Sequence, residues 1–264
     1  MDSTSYMNIV GLPALVDTYE NYIWVMHDEK QAWVVDPGES IQVLEYLDKH
    51  GLDLQAILIT HQHADHTNGV NKLVEAFPKT VVYGPAKSNL SIIQVKCNES
   101  DTVTLTENMK FKVLDIPGHT KDHIAFYNDD ILFCGDTLFT AGCGRILGGT
   151  AKQFSDSILK LRELAGDTGF YCAHEYTNTN LQFAQLVEPD NTDLQQRIAK
   201  TNIEYPAIHI GAQSTLGEEK LTNPFLRFDT PALKQKLIER GAHDSAESLF
   251  NTLRSWKDEF DRAN

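Results

Sequence analysis

Hydrophobic and polar positions alternate along the first two-thirds of the chain in a pattern that predicts short strands, tight turns and a few helices. Asn21–Met26 and Gln31–Val35 are apolar and flank the polar stretch His27–Lys30, which predicts a hairpin. Apolar residues at helical spacing predict a helix from about Ser40. The continuously apolar Ala56–Ile59 is typical of a strand that is buried on both faces.

The same criteria place further elements up to about residue 174. Additional strands are predicted at Thr80–Tyr83, Lys112–Ile116, Ile124–Tyr127, Ile131–Cys134 and Phe170–Ala173. Two helices are predicted, one over residues 70–77 and one over residues 154–165. The segments at 124–127 and 131–134 are separated by an Asn-Asp-Asp turn and predict a second hairpin.

Helical periodicity replaces the strand pattern from about residue 176. Helices are predicted over residues 181–187, 194–203, 231–238 and 249–260, with Pro231 at a first helical position and Ser245 as an N-cap. The pattern therefore predicts two domains, residues 1–175 and residues 176–264, the second small and helical.

Composition and charge limit the classes of protein that this chain can represent. With 264 residues, 41% of them hydrophobic, it has the proportions of an ordinary globular protein. A net charge of −14 argues against nucleic-acid binding and against binding to an anionic membrane. The four cysteines form no CxxC pair, which indicates reduced thiols in a cytoplasmic protein. We also expect no signal peptide, no membrane span and a monomer, with Met7 as an alternative start.

A dense group of metal-ligand residues follows the predicted strand at 56–59. His61, His63, Asp65 and His66 occur within six residues, and imidazole and carboxylate are ligands that hold zinc or iron at neutral pH. The alternative interpretation, a solvated polar loop, is disfavoured by this density. The sequence therefore predicts a metal site at this strand end.

Three more candidate ligands, His119, Asp136 and His174, each follow the end of a predicted strand. Together with the first group they supply five histidines and two aspartates, enough for two metal sites if one carboxylate bridges the ions. His123 is a candidate for orienting a ligand. The other histidines are expected at the surface or at helix ends, and they are His27, His50, His209 and His243.

Several motifs resemble a known family. Thr60–His66 resembles the hallmark of the metallo-β-lactamase superfamily, and the later ligands fall in the order of that superfamily. Within it the chain resembles glyoxalase II, the hydroxyacylglutathione hydrolases. The motifs that carry this narrower resemblance lie at residues 117–120, 135–139, 141–145, 174–177, 223–227 and 253–258.

The resemblance implies an αββα metallo-β-lactamase sandwich followed by a helical substrate-binding domain. It also implies two divalent metal ions, zinc in the first place, with iron and manganese chemically acceptable. One ion would be held by His61, His63 and His119 and the other by Asp65, His66 and His174, with Asp136 bridging. Asp65, His66 and Asp136 would also be the catalytic residues.

The resemblance further implies hydrolysis of S-D-lactoylglutathione and related 2-hydroxyacylglutathiones to glutathione and D-lactate, the second step of methylglyoxal detoxification. Glutathione would be recognised by Arg145, Tyr176 and Arg227. Two positions depart from the pattern, since Leu147 and Thr230 stand where some members carry a tyrosine and a lysine. Arg227 therefore has an alternative interpretation as the partner of a surface carboxylate.

Three other functions fit the sequence less well than this hypothesis. A related mononuclear iron sulfur dioxygenase would need fewer of these ligands and no helical C-terminal region. A nuclease of the superfamily needs a basic face, which a net charge of −14 makes hard to supply. A non-enzymatic metal-binding protein could carry the same ligands, but a purely structural site usually closes its coordination sphere, whereas two ions that share a carboxylate leave room for solvent.

Overall fold

The computed structural model describes residues 7–204 and 213–263. The chain divides into two compact units, each made of several segments. The first consists of Met1–Asp115, Asp122–Asn128 and Phe133–Gly135, and the second of Ile116–Lys121, Asp129–Leu132 and Asp136–Asn264.

A six-stranded mixed sheet organises the first unit. Its strands, in spatial order, are β1 (Asn8–Ala14), β2 (Asn21–His27), β3 (Gln31–Val35), β4 (Asp53–Leu58), β5 (Val81–Pro85) and β6 (Val95–Cys97). The pairs β1–β2 and β2–β3 are antiparallel, and the pairs from β3 to β6 are parallel. Three helices connect the later strands, namely α1 (Ile41–His50), α2 (Ala64–Thr67) and α3 (Val70–Ala76).

Side chains of this sheet and its helices form one hydrophobic core. Val25, Val34 and Ile57 from three neighbouring strands are fully buried, and they cluster with Val43 and Leu47 of α1. The spacing of four residues places the two α1 side chains on one face of the helix. Burial of each such side chain stabilises the fold by roughly 1.5–3 kcal/mol, so the core fixes the strand ends that carry the candidate ligands.

The remaining strands of this unit are antiparallel. They are β7 (Thr102–Thr104), β8 (Lys110–Asp115) and β9 (Ile124–Tyr127), paired in that order. The strand β10 (Ile131–Phe133) follows after a turn.

The second unit is mostly helical. Its strands are β11 (Leu138–Phe139) paired with β12 (Gly142–Cys143), and β13 (Gly169–Tyr171) paired with β14 (Gln213–Thr215). Its helices are α4 (Ala151–Arg162), α5 (Thr177–Val187), α6 (Thr192–Glu204), α7 (Leu216–Thr222), α8 (Pro224–Arg227), α9 (Pro231–Glu239) and α10 (Ala246–Ala263). The helix α4 begins with a capping box between Thr150 and Gln153, and its Phe154 ring lies 5.0 Å from that of Phe250 on α10.

The structure contains the elements that the sequence predicts, with ends shifted by a few residues. Ser245 accepts a hydrogen bond from the Ser248 amide, which confirms its role as an N-cap. The pattern missed short elements, including α2, the hairpin β11–β12, and β14, which lies beyond the residue where strands were expected to end. Short segments carry too few residues to show a period.

The interpretation of His27 as a surface or helix-end residue is wrong. His27 is the last residue of β2 and is buried, and its Nε2 lies 2.9 Å from the Tyr46 hydroxyl. His50 is at the end of α1 and His243 is exposed, as expected, while His209 lies outside the described residues.

Two further expectations concern the thiols and the membrane. All four cysteines are buried and none forms a disulfide, which agrees with the prediction of reduced thiols. In the described part of the chain, no helix has both the length and the apolar character needed to cross a bilayer.

Candidate metal centre

The first ligand group lies where β4 ends and α2 begins. His61 and His66 are completely buried, whereas His63 and Asp65 are partly exposed. His63 precedes α2, and its carbonyl accepts a hydrogen bond from the His66 amide at 3.1 Å. The change from strand to helix turns successive side chains toward one place, which a continuing strand could not do because its side chains alternate between faces.

His61 is surrounded by other imidazole rings of the first unit. Its Nε2 lies 3.0 Å from His63 Nδ1, and its ring centroid lies 4.1 Å from that of His66. His123 stacks on His61, with ring centroids 4.5 Å apart and planes within 14°. His123 therefore contacts a candidate ligand directly, and its orienting role stays a prediction.

Asp36 orients this group, and the sequence analysis missed it. Its Oδ1 accepts a hydrogen bond from the Thr60 amide at 2.8 Å, and its Oδ2 lies 3.0 Å from His66 Nδ1. The ligand-type atoms of Asp36, His61 and His66 lie within 4.8 Å of one another. A carboxylate beside Nδ1 holds the proton on that nitrogen, which leaves His66 Nε2 as the nitrogen that could bind a metal.

Asp65 is held by a second residue that sequence reasoning missed, Asn21 at the start of β2. The Asn21 amide nitrogen donates to Asp65 Oδ2 at 3.2 Å and to the Asp65 carbonyl at 3.1 Å. A Cβ atom at Gly38 would lie 1.8 Å from that carbonyl, so this close approach requires glycine. The turn Asp36-Pro37-Gly38 therefore supplies both a carboxylate partner and the space for the ligand loop.

The second ligand group lies in the second unit and is centred on Asp136. His119 Nε2 lies 3.3 Å from Asp136 Oδ2, and His174 Nε2 lies 3.0 Å from Asp136 Oδ1. All three residues are buried. One carboxylate thus faces two imidazoles, with a different oxygen toward each.

The donor set around Asp136 fits a cation. His119 Nδ1 lies 2.8 Å from the Arg145 carbonyl, which can only accept, so that nitrogen carries the proton in a neutral imidazole. His119 Nε2 then presents a lone pair toward a carboxylate oxygen, and two acceptors repel unless a proton or a metal ion lies between them. Buried imidazole and carboxylate ligands of this kind suit zinc, iron or manganese.

Two of the predicted substrate residues lie in this unit near the ligands. The Tyr176 ring stacks on His174 with centroids 5.0 Å apart and planes within 3°. Arg145 is exposed, and its side chain forms no ion pair or hydrogen bond with the described residues. Leu147 is 62% exposed and, being a leucine, offers no hydroxyl to a substrate.

Arg227 is already bound by a carboxylate. Its Nε lies 2.9 Å from Glu188 Oε2 and its Nη2 lies 3.0 Å from Glu188 Oε1, a bidentate arrangement. Both side chains are mostly buried. The alternative interpretation paired Arg227 with a surface carboxylate. The structure shows such a pair, but the Glu188 carboxylate is mostly buried.

Cys143 is not a candidate nucleophile. Burial raises the pKa of its thiol to about 11, so the sulfur stays protonated at neutral pH. The sequence also lacks any signature of a partnered nucleophile around this residue.

Comparison with known proteins agrees with this donor set. Residues 16–174 match the family model of the metallo-β-lactamase superfamily, and residues 175–260 match the model of the hydroxyacylglutathione hydrolase C-terminus. The curated hydroxyacylglutathione hydrolase of Hydrogenovibrio crunogenus is 45% identical, covering 98% of this chain and 97% of that protein. The enzyme of the same name from Aliivibrio salmonicida is 47% identical, covering 96% of this chain and 99% of that protein.

Solved structures show the same fold. ETHE1 from Myxococcus xanthus covers 95% of this chain and 98% of its own, with a TM-score of 0.65 at 23% identity. TTHA1623 in a di-iron-bound form covers 81% of this chain and 99% of its own, with a TM-score of 0.53 at 25% identity.

These matches show that the protein has a metallo-β-lactamase fold followed by a helical C-terminal domain, as the sequence motifs predicted. The chain belongs to the hydroxyacylglutathione hydrolase family of the metallo-β-lactamase superfamily.

The role of Asp36 can be tested by Asp36→Asn, which keeps the size of the side chain but removes its charge. We expect the affinity of the protein for zinc to fall about 10–100-fold, because His66 loses the partner that fixes its protonation. Competition with a chromophoric chelator measures this affinity. Asp28→Asn is the matched control, since Asp28 accepts two amides in a turn of the same unit. Equal affinities in the two variants would contradict the assignment.

Proposed function

We propose that this protein hydrolyses S-D-lactoylglutathione and related 2-hydroxyacylglutathiones to glutathione and D-lactate, the second step of methylglyoxal detoxification. The observation that carries the proposal is the match of residues 175–260 to the hydroxyacylglutathione hydrolase C-terminus, together with relatives of that name over nearly the full length. The substrate would be a small glutathione thioester, and neither nucleic acid nor a membrane would be a partner.

The proposed site holds two divalent metal ions, zinc in the first place. His61, His63 and His119 would hold one ion, Asp65, His66 and His174 would hold the other, and Asp136 would be shared between them. Nitrogen and oxygen ligands without thiolate support zinc, iron or manganese. The di-iron form of the similar structure TTHA1623 supports a pair of ions of this type.

Two divalent ions in such a site would supply hydroxide at neutral pH, since a metal lowers the pKa of bound water to about 7. The residues of the chain set the geometry of the reaction. Asp36 and the Arg145 carbonyl hold protons on the Nδ1 atoms of His66 and His119, so that both Nε2 atoms remain available. Asp65, His66 and Asp136 act closest to the reacting groups in this proposal.

The net reaction adds water across the thioester. A C–O bond forms at the acyl carbon, the C–S bond breaks, and the electron pair leaves with sulfur. The parent thiol has a pKa near 8.5, so the thiolate is a good leaving group and needs little proton donation. This chemistry suits a site that has no separate general acid.

Catalysis and substrate binding are assigned to the two domains predicted from the sequence. Residues 1–175 form the proposed catalytic domain and residues 176–264 the substrate-binding domain. The two family models support a boundary in this region, since one ends at 174 and the other begins at 175. We also propose that the protein is a monomer and that it is cytoplasmic; four free, buried thiols support a reducing compartment.

The alternative functions are less well supported. A mononuclear iron sulfur dioxygenase would leave the match over residues 175–260 without a purpose. Another metallo-β-lactamase-fold hydrolase would share the ligands but not the glutathione enzyme's C-terminal region.

The activity is tested by incubating metal-replete protein with S-D-lactoylglutathione and following the loss of thioester absorbance. We expect turnover, release of free thiol, and loss of both after treatment with a chelator, followed by recovery on addition of zinc. Turnover that is absent in metal-replete protein would overturn the proposal.

The bridging role predicts different outcomes for two ligand variants. Asp136→Ala should lower the content of both ions, because this carboxylate faces two imidazoles, whereas His66→Ala should lower chiefly one. Elemental analysis of the purified variants measures the content, with Asp156→Ala on the exposed face of α4 as the control. Metal content and activity like those of the wild type in Asp136→Ala would refute the bridge.

The glutathione contacts are proposed at Arg145, Tyr176 and Arg227; the Tyr176 ring stacks on His174, and the Arg145 carbonyl contacts His119. The Arg227 contact is tested by comparing Arg227→Ala with Glu188→Ala, its ion-pair partner. If Arg227 binds glutathione, only Arg227→Ala raises KM several-fold, with a smaller effect on kcat because the contact is remote from the scissile bond. Raising salt should also weaken wild-type binding more than binding to Arg227→Ala.

A different result is expected if Arg227 does not bind glutathione. If Arg227 serves only the ion pair, both variants lower the free energy of unfolding and neither changes KM. That outcome would leave glutathione recognition to Arg145, Tyr176 and backbone groups.

A further inference from the structure

The hairpin β11–β12 is unusually short, and distant side chains bind its backbone. The Asn223 amide nitrogen donates to the carbonyls of Phe139 and Gly142, both at 3.0 Å. The Asn180 amide nitrogen donates to the Thr140 carbonyl at 3.0 Å. Two strands of two residues each cannot hold this shape through their own hydrogen bonds, so these contacts fix it.

Charged side chains complete the support of the hairpin. Glu219 Oε2 accepts a hydrogen bond from the Ala141 amide at 2.9 Å, and Ala141 has a φ of 55°, a left-handed conformation that disfavours a residue with a Cβ. Arg254 Nη1 donates to the Cys143 carbonyl at 2.9 Å. Each residue from 139 to 143 therefore has a backbone group bound by a side chain from the helical C-terminal region.

These supporting side chains are themselves buried and paired. Glu219 and Asn223 have no exposed surface, and the Asn223 amide nitrogen lies 2.9 Å from Glu219 Oε2. Arg197, 6% exposed, forms an ion pair with Glu219 Oε1 and donates to the Thr222 hydroxyl. A buried network in which each charge is paired is costly to rearrange, so it favours a single hairpin conformation.

The residues on either side of the hairpin contact the proposed metal ligands. Asp136 lies two residues before β11, and a Cβ atom at Gly144, just after β12, would lie 2.0 Å from the Asp136 carbonyl. The next residue, Arg145, accepts a hydrogen bond at its carbonyl from His119 Nδ1. A shift of the hairpin would therefore move the groups that position both His119 and Asp136.

We propose that Asn223 and Glu219 are positioning residues for the metal site, acting through the hairpin on His119 and Asp136. The helical C-terminal region then has a second role beside substrate binding, since it fixes the geometry of two metal ligands. This inference depends on one part of the proposed function, namely that His119 and Asp136 are metal ligands.

Asn223→Asp separates positioning from general stability. The substitution keeps the side-chain oxygen that accepts the Phe225 amide at the start of α8, but it places a carboxylate against two carbonyls and Glu219. Asn191→Asp is the matched control, because Asn191 also caps a helix with its oxygen and donates to a carbonyl, that of Leu221, away from the hairpin.

The measurements are zinc affinity of the apoprotein by chelator competition, thermal unfolding without metal, and kcat and KM for S-D-lactoylglutathione. We expect zinc affinity and kcat to fall about tenfold in Asn223→Asp, at the lower end of the effect of losing a partner of a ligand. KM should stay within about twofold of wild type, and Asn191→Asp should match wild type in affinity and kcat.

Asn180→Asp covers the case in which Asn223→Asp does not fold. It removes one donor to the hairpin, and we expect about a threefold loss of zinc affinity. Zinc affinity equal to that of wild type in the folded variants, with only a lower melting temperature, would overturn the inference. Failure of the wild type itself to bind zinc would instead overturn the proposed metal site.

Discussion

A buried carboxylate that faces two imidazole nitrogens is the constraint on which the site depends. Asp136 is 6% exposed, and its oxygens lie 3.0 and 3.3 Å from the Nε2 atoms of His174 and His119. An ionised carboxylate that is removed from water is strongly destabilising unless a positive charge compensates it. Divalent cations held beside this carboxylate would meet the requirement, so metal binding should stabilise the folded protein by mass action.

In each candidate ligand group, an acceptor at one ring nitrogen of a histidine leaves the other nitrogen available to a metal. Asp36 and the Arg145 carbonyl accept at the Nδ1 atoms of His66 and His119, respectively, and leave Nε2 with a lone pair. Each acceptor lies on a turn that passes close to another ligand, Gly38 beside Asp65 and Gly144 beside Asp136. The ligand and its acceptor are therefore fixed by the same close contact of backbones, and neither can move without the other.

The candidate ligands that are adjacent in sequence form a visible pattern, whereas the residues that contact them do not. His61, His63, Asp65 and His66 follow a strongly apolar strand, so the density of ligand-type residues is visible in the sequence. Asp36 stands in an Asp-Pro-Gly turn, where a turn preference explains the residue equally well. The prediction for His27 was wrong because polar residues follow it in the sequence. These residues give no sign that β2 extends to His27, which makes a buried contact with Tyr46. Glu188, the partner of Arg227, is 39 residues away in the chain, and no local pattern connects them.

The hairpin β11–β12 is the clearest case of a structure that local sequence patterns do not predict, because contacts with distant residues hold it. Its supports come from positions 40 to 111 residues away, and it has almost no period of its own. Such a network contributes little net stability, because pairing of buried charges mainly repays their desolvation. Its contribution is to exclude other conformations of residues 139–143, which lie between Asp136 and Arg145 in the chain. A region that only bound substrate would not need to bury Glu219 and Arg197 beneath this hairpin. The burial is understandable if the geometry of the metal ligands has to be held within the narrow limits that coordination requires.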